Sequence, residues 1–172
     1  MKQKLKEAYM KTAETFADLS HARRLHVGAI IVKYDRIISI GYNGMPAGWD
    51  NNCEDVEWCS AGGWLSPEEI EEGWPHKGHY IDGNGNTVEG RYRLKTKEEV
   101  LHAESNAIAK LARSNDSGLD ADIFITHAPC IDCAKLIYQS GIRRVYFGEH
   151  YRDDSGVKFL EASGVTVEKL SD

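Results

Sequence analysis

From residue 96 onward, helix-period and strand-period segments alternate, and nothing else in this sequence restricts the fold so tightly. "TKEEVLHAESNAIAKLAR" (96–113) repeats its apolar residues at helical spacing, with Thr96 and Glu99 placed as a capping box. "DIFITH" (122–127) reads as a strand, and "CIDCAKLIYQSG" as a helix with Pro129 at its first position and Gly141 as its stop. "RRVYFGE" (143–149) is the next strand, followed by a helix near 154–163 and a last strand at 165–170. Strands separated by helices pair in parallel and bury both faces of their sheet. Upstream, Leu5, Ala8, Tyr9, Thr12, Ala13, Phe16 and Ala17 share one face of a helix over 4–19. "VGAIIVK" (27–33) and "RIISIGY" (36–42) are β-branched runs that turn back on each other at Tyr34 and Asp35. The order α-β-β-α-β-α-β-α-β predicts a three-layer α/β/α architecture, a mixed five-stranded sheet with helices on both faces.

The 172 residues suit one domain, 1–172, that needs no disulfide or metal merely to hold a core. Residues 43–96 stand apart: they are Gly-rich, Pro-interrupted and hold all four tryptophans, Trp49, Trp58, Trp64 and Trp74. So long a stretch without structure is unusual in a compact domain, so it is expected to be a functional insertion with short elements, a helix from Ser66 and a turn at Asp82. The opening "MKQKLKEAYMKTAETFADL" lacks the apolar core of a signal peptide, and no run could span a bilayer, which points to a cytoplasmic protein without a membrane partner. In that reducing compartment the four cysteines read as thiols or metal ligands. A net charge of −6 argues against a nucleic-acid partner, whose phosphates are bound by Lys and Arg.

The chemistry concentrates in two short stretches. In "THAPCIDCAK", Cys130 and Cys133 lie three apart at a predicted helix start, where partial positive charge favours the thiolate. A strand leading into C-x-x-C at a helix start serves a thiol–disulfide module as well as a metal site, and these ten residues alone weigh evenly between the two. "LHAESNAI" supplies His102 and Glu104. On a continuous helix these two would point nearly opposite ways, so a shared site needs either a helix that begins close to His102 or one that lies across the cavity mouth with both side chains reaching round. The site favours a well-formed helix from near Leu101, in conflict with a cap at Thr96. His102, Cys130 and Cys133 make three ligands, and a tetrahedral zinc so held keeps one position open for water. Glu104, acidic and not needed as a ligand, can then carry protons. His-x-Glu followed by Pro-Cys-x-x-Cys, with 27 residues between His102 and Cys130, is the pattern of the zinc deaminases that act on nucleobases. A closed structural zinc knot would want a fourth protein ligand.

With "VGAIIVK", "GYNGMPAG", "HAESNAI" and "APCIDCAK" in that order, the chain resembles the cytidine/deoxycytidylate deaminase family, in its deoxycytidylate (dCMP) branch, from the first helix to the last strand. The resemblance implies the cytidine deaminase-like fold and hydrolytic deamination of dCMP to dUMP and ammonia, with Zn2+ on His102, Cys130 and Cys133 and Glu104 as the proton carrier. It further implies a substrate contact through Asn43 and regulation by dCTP with Mg2+ and by dTTP in a hexamer. That regulatory site would involve Gly41, Tyr42, Asn43, Gly44 and Arg113. His127, Tyr151 and Arg152 follow strands that lead toward the site and are candidates for the nucleotide's phosphate end. Arg23 and Arg24 are open to either a surface or a nucleotide role, whereas Arg143 and Arg144 read as surface charge.

Some members of the family carry a second, structural zinc in the insertion. The Cys expected before the first strand is absent here, and so are the His residues expected before the HAE segment. Cys53, Cys59, His76 and His79 could still form a Cys2His2 set, against the plainer reading of two buried thiols and two exposed imidazoles.

Overall fold

The computed structural model describes residues 1–60 and 64–170. The five-stranded sheet runs β2-β1-β6-β7-β8: β1 (Gly28–Lys33), β2 (Arg36–Tyr42), β6 (Asp122–His127), β7 (Arg144–Glu149) and β8 (Thr166–Lys169). β1 is antiparallel to both β2 and β6, and β6, β7 and β8 are mutually parallel, so the sheet is mixed as expected. The β1–β2 hairpin closes through Tyr34 and Asp35, both in the left-handed region at φ 50° and 57°, the two-residue turn that matches strand twist.

Strand alternation divides the core in two. Ile30, Val32, Phe124 and Tyr146 face α1 (Gln3–Ala17), which presents Tyr9, Met10 and Ala13. Ala29, Ile31, Ile123, Ile125 and Val145 face the other way, toward α3 (Ala103–Leu111), α4 (Ile131–Gln139) and α5 (Ser155–Ala162). The helices therefore cover both faces, and the middle strand β6 (Asp122–His127) is buried over Asp122–Thr126.

Two residues that the sequence offered as helix starts lie outside the helices. Thr96 is the last residue of β5 (Thr87–Thr96), not a helix cap, and Leu101 is held extended by reciprocal backbone bonds with Gly44. The helix begins only after His102, close to where a shared site required it. Pro129 likewise lies one residue before the cap of α4, which is Cys130, instead of inside the helix.

The insertion forms its own antiparallel sheet, β3-β5-β4, with β3 (Glu54–Trp58), β4 (His76–Ile81) and β5. These strands were not anticipated: their alternation is broken by Gly78 and Gly90, whose bare backbones make room for the rings of Trp58, Tyr80 and Tyr92. The Ser66 helix, α2 (Pro67–Gly73), is present with a full Ser66/Glu69 capping box, and Asp82 anchors the β4–β5 turn through the Asn84 and Asn86 amides. Arg144, read as surface charge, in fact pairs with Asp122, which is buried at the start of the central strand. Among the described residues no helix is long and apolar enough to cross a membrane.

Candidate metal centre and active site

Two helix caps meet at one point. His102 caps α3 and Cys130 caps α4, both with extended backbones just outside their helices, and Cys133 sits one turn inside α4. Because His102 lies outside the helix, its side chain and that of Glu104, two residues on, can share a site that a continuous helix would have denied them. His102 Nδ1 is 3.6 Å from Cys130 Sγ and 3.4 Å from Cys133 Sγ, and the three atoms all lie within 4.8 Å of one another. A tetrahedral ion with zinc's usual bond lengths to nitrogen and sulfur would hold these atoms about 3.6 Å apart, so the donor set fits zinc without rearrangement. Both sulfurs contact the imidazole, which a simple thiol–disulfide pair would leave idle.

The electrostatics agree. Cys130 is pushed down to about 4, first by the hydrogen bond from the Cys133 thiol and then by His102, so it is ready as a thiolate. Cys133 moves the other way because it donates that bond and is buried. Glu104, at the second position of α3, is only 4% exposed, and this burial raises its carboxyl to about 7. A carboxyl poised there can both take and give a proton at neutral pH.

These groups open onto a cavity of about 400 Å³. Its lining includes His102, Glu104 and Cys130 together with Asn43, His127, Tyr151 and Arg152, so all four residues expected at the substrate share one space with two members of the metal triad, while Cys133 lies buried behind them. Asn43 is also structural: its Oδ1 accepts the Val27 N–H and its Nδ2 donates to the Leu25 carbonyl, each at 2.8 Å. His127 Nδ1 meets Thr126 Oγ1 at 3.0 Å, and burial lowers its pKa. The sequence left Arg24 undecided, read Thr96 only as a helix cap and did not single out Glu54 or His150, yet all four line the same cavity. No motif marks them; they come from the α1–β1 connection, the insertion and the loop after β7 (Arg144–Glu149).

The remaining candidates lie elsewhere. Gly41 is packed so closely on α3 that an added Cβ would stand 2.1 Å from the Ala103 carbonyl oxygen. Tyr42 lies under Lys110 at 5.3 Å and its carbonyl accepts from Asn106, while Gly44 pairs with Leu101. Arg113 is exposed just past the end of α3. The second-zinc set is not assembled: Cys53 and Cys59 flank β3 at opposite ends, about 20 Å of extended chain apart. His76 and His79 are on β4, beyond the intervening β5, with His76 stacked on Tyr92. Among the described residues only His102, Cys130 and Cys133 form a metal-competent group.

Known proteins agree with this geometry. The family described as cytidine and deoxycytidylate deaminase zinc-binding region matches residues 3–149. The deoxycytidylate deaminase of Enterobacteria phage T4 is 36% identical over 137 residues, 73% of this chain and 67% of the phage protein. ComE operon protein 2 of Bacillus subtilis is 33% identical over 163 residues, covering 94% of this chain and 69% of its own. The crystal structure of the dCMP deaminase from cyanophage S-TIM5, in complex with dCMP and dUMP, superposes with a TM-score of 0.75 at 37% identity over 99% of both chains. A matched family region spanning most of the chain, with His102, Cys130 and Cys133 gathered at one point within it, leaves one conclusion: this chain belongs to the cytidine and deoxycytidylate deaminase family.

Proposed function

We propose that this protein is a dCMP deaminase, converting dCMP and water to dUMP and ammonia and so supplying dUMP for thymidylate synthesis. The observation that carries the reading is one cavity that joins His102 and Cys130 of the His–Cys–Cys triad and a buried carboxyl to two arginines, Arg24 and Arg152. The 37% identity to a deaminase crystallised with dCMP and dUMP supports the same substrate.

His102 Nδ1 and the sulfurs of Cys130 and Cys133 would hold zinc, which when bound makes a water acidic near neutral pH. Glu104 takes the proton of the water that adds to carbon 4 of the base. It delivers that proton to ring nitrogen 3, then takes the remaining proton from the new hydroxyl on carbon 4 and passes it to the amine, so that the C–N bond breaks, ammonia leaves and the carbonyl of dUMP forms. Burial of Glu104 favours its protonated form, which suits a group that must return the proton it takes. Asn43 and His127 shape the wall against which the nucleoside rests. Arg152 and Arg24, with Tyr151, supply cations and a hydroxyl suited to the phosphate.

We also propose activation by dCTP with Mg2+, inhibition by dTTP, assembly as a hexamer and a cytoplasmic location. Gly41, Tyr42, Asn43, Gly44 and Arg113 would form the effector site. The support is the contact of Gly41 and Tyr42 with α3: a ligand that shifted this strand end would shift the helix carrying Glu104. Measuring dUMP formation from dCMP, with and without dCTP and dTTP, tests substrate and regulation together. Absence of turnover by zinc-loaded protein overturns the substrate, and rates indifferent to both triphosphates overturn the regulation alone.

A further inference from the structure

Glu54 is a carboxylate only 1% exposed, carried by the first residue of the inserted sheet, yet its oxygens serve another part of the chain. Oε1 accepts the backbone N–H of Arg23 at 2.9 Å and of Arg24 at 3.3 Å, and Oε2 accepts from Arg23 Nε at 3.3 Å. Arg23 returns a bond to the Glu54 carbonyl at 3.0 Å, and Arg24 Nη1 donates to Thr96 Oγ1, on the residue paired with Glu54 across the small sheet, at 3.0 Å.

The segment so gripped, 20–27, joins α1 to β1 and has no helix or strand of its own, but Ala22, Arg24, Leu25 and Val27 form one wall of the cavity. A wall without backbone ladders takes its shape from side chains, here Glu54 from one side and Asn43 from the other. A buried carboxylate that receives two backbone N–H groups and a guanidinium is a stiff anchor. Without it Arg24 loses both its backbone tether and the alignment that sets its guanidinium beside Thr96.

We infer that Glu54 is a positioning residue for nucleotide recognition: the inserted sheet delivers its carboxylate to hold Arg24 where the substrate's phosphate docks. The inference rests on dCMP as substrate. Glu54 acts through Arg24, so its loss weakens recognition of the phosphate and leaves the chemistry at the base intact.

The test compares wild type, Glu54→Gln, Glu54→Asp and Arg24→Ala on dCMP and on deoxycytidine, which lacks the phosphate, with zinc per chain measured alongside. Glu54→Gln and Arg24→Ala should each raise KM for dCMP by about tenfold or more with kcat changed by less than about threefold, while KM for deoxycytidine stays level. The double variant should be no worse than the poorer single one, because both act on one contact. Equal losses on both substrates, a falling kcat with lost zinc, additive effects or an unchanged KM would each overturn the inference. Should Glu54→Gln not fold, Glu54→Asp carries the same comparison, and an Arg24→Ala variant with normal KM for dCMP refutes the inference without either. Wild type that turns over neither substrate instead refutes the proposed function.

Discussion

At the residue scale the proposed mechanism divides the labour between groups that would hold a metal and one that would move protons. Cys133→Ala removes a ligand whose sulfur lies 3.4 Å from His102 Nδ1, and it should abolish both tight zinc, expected at about one per chain, and turnover. Metal analysis of freshly purified protein checks this; zinc retained by the variant would place the ion elsewhere. Glu104→Gln should keep zinc, since Glu104 is outside the ligand triad, and lose turnover by about 10²–10⁴-fold. Near-normal dCMP hydrolysis by that variant would remove Glu104 from the mechanism. These four residues were legible in the sequence because ligand chemistry demands particular side chains at short spacings. Arg24 and Glu54 were not, since any Arg or Glu far along the chain looks like solvated charge until folding buries one and turns the other into a cavity.

At the element scale the site depends on how closely helices approach the backbone. Gly156, in the first turn of α5, lets that helix lie on the Pro129–Cys130 peptide: a Cβ there would stand 2.1 Å from the Pro129 carbonyl oxygen. Gly156→Ala must push α5 or the Cys130 loop outward. It should cost about 1–3 kcal/mol in denaturant unfolding and lower the zinc content as well. Full zinc and an unchanged midpoint would show that the loop is not held from this side. Sequence periodicity found every element of the main sheet, and of the two starts the sequence offered for α3 the one near Leu101 holds while the cap at Thr96 does not. The capping pattern at Thr96 is a local preference of about 1 kcal/mol, whereas Thr96 completes the β5 ladder opposite Glu54 and Leu101 bridges to Gly44. Tertiary pairing outweighed the local signal, and by keeping His102 outside the helix it made the metal triad possible.

For the molecule as a whole, the insertion and the main body should unfold together as the one domain expected over 1–172. Glu54, Arg23 and the Lys97 N–H bond to the Cys53 carbonyl tie them at the cavity. All four tryptophans lie in residues 43–96, so tryptophan fluorescence reports the insertion while far-ultraviolet circular dichroism is dominated by the helices of the main body. The two denaturation curves should coincide, and a fluorescence transition well ahead of the other would make the insertion a separate unit. The acidic balance of the chain belongs to this scale too: free dCMP should be deaminated in preference to cytosine in single-stranded DNA, as a side-by-side product assay would show.

What the sequence alone determined is local in origin: the alternation of periods that sets an α/β sheet, and the identities and spacings of His102, Glu104, Cys130 and Cys133, which chemistry constrains tightly. The tertiary structure decided what depends on segments distant in the chain. It made a small sheet from the insertion, scattered Cys53, Cys59, His76 and His79 around that sheet, and brought Glu54 to the 20–27 segment. The physical reason is that periodicity and ligand chemistry are written into neighbouring residues, whereas burial and charge pairing exist only once the chain has closed on itself.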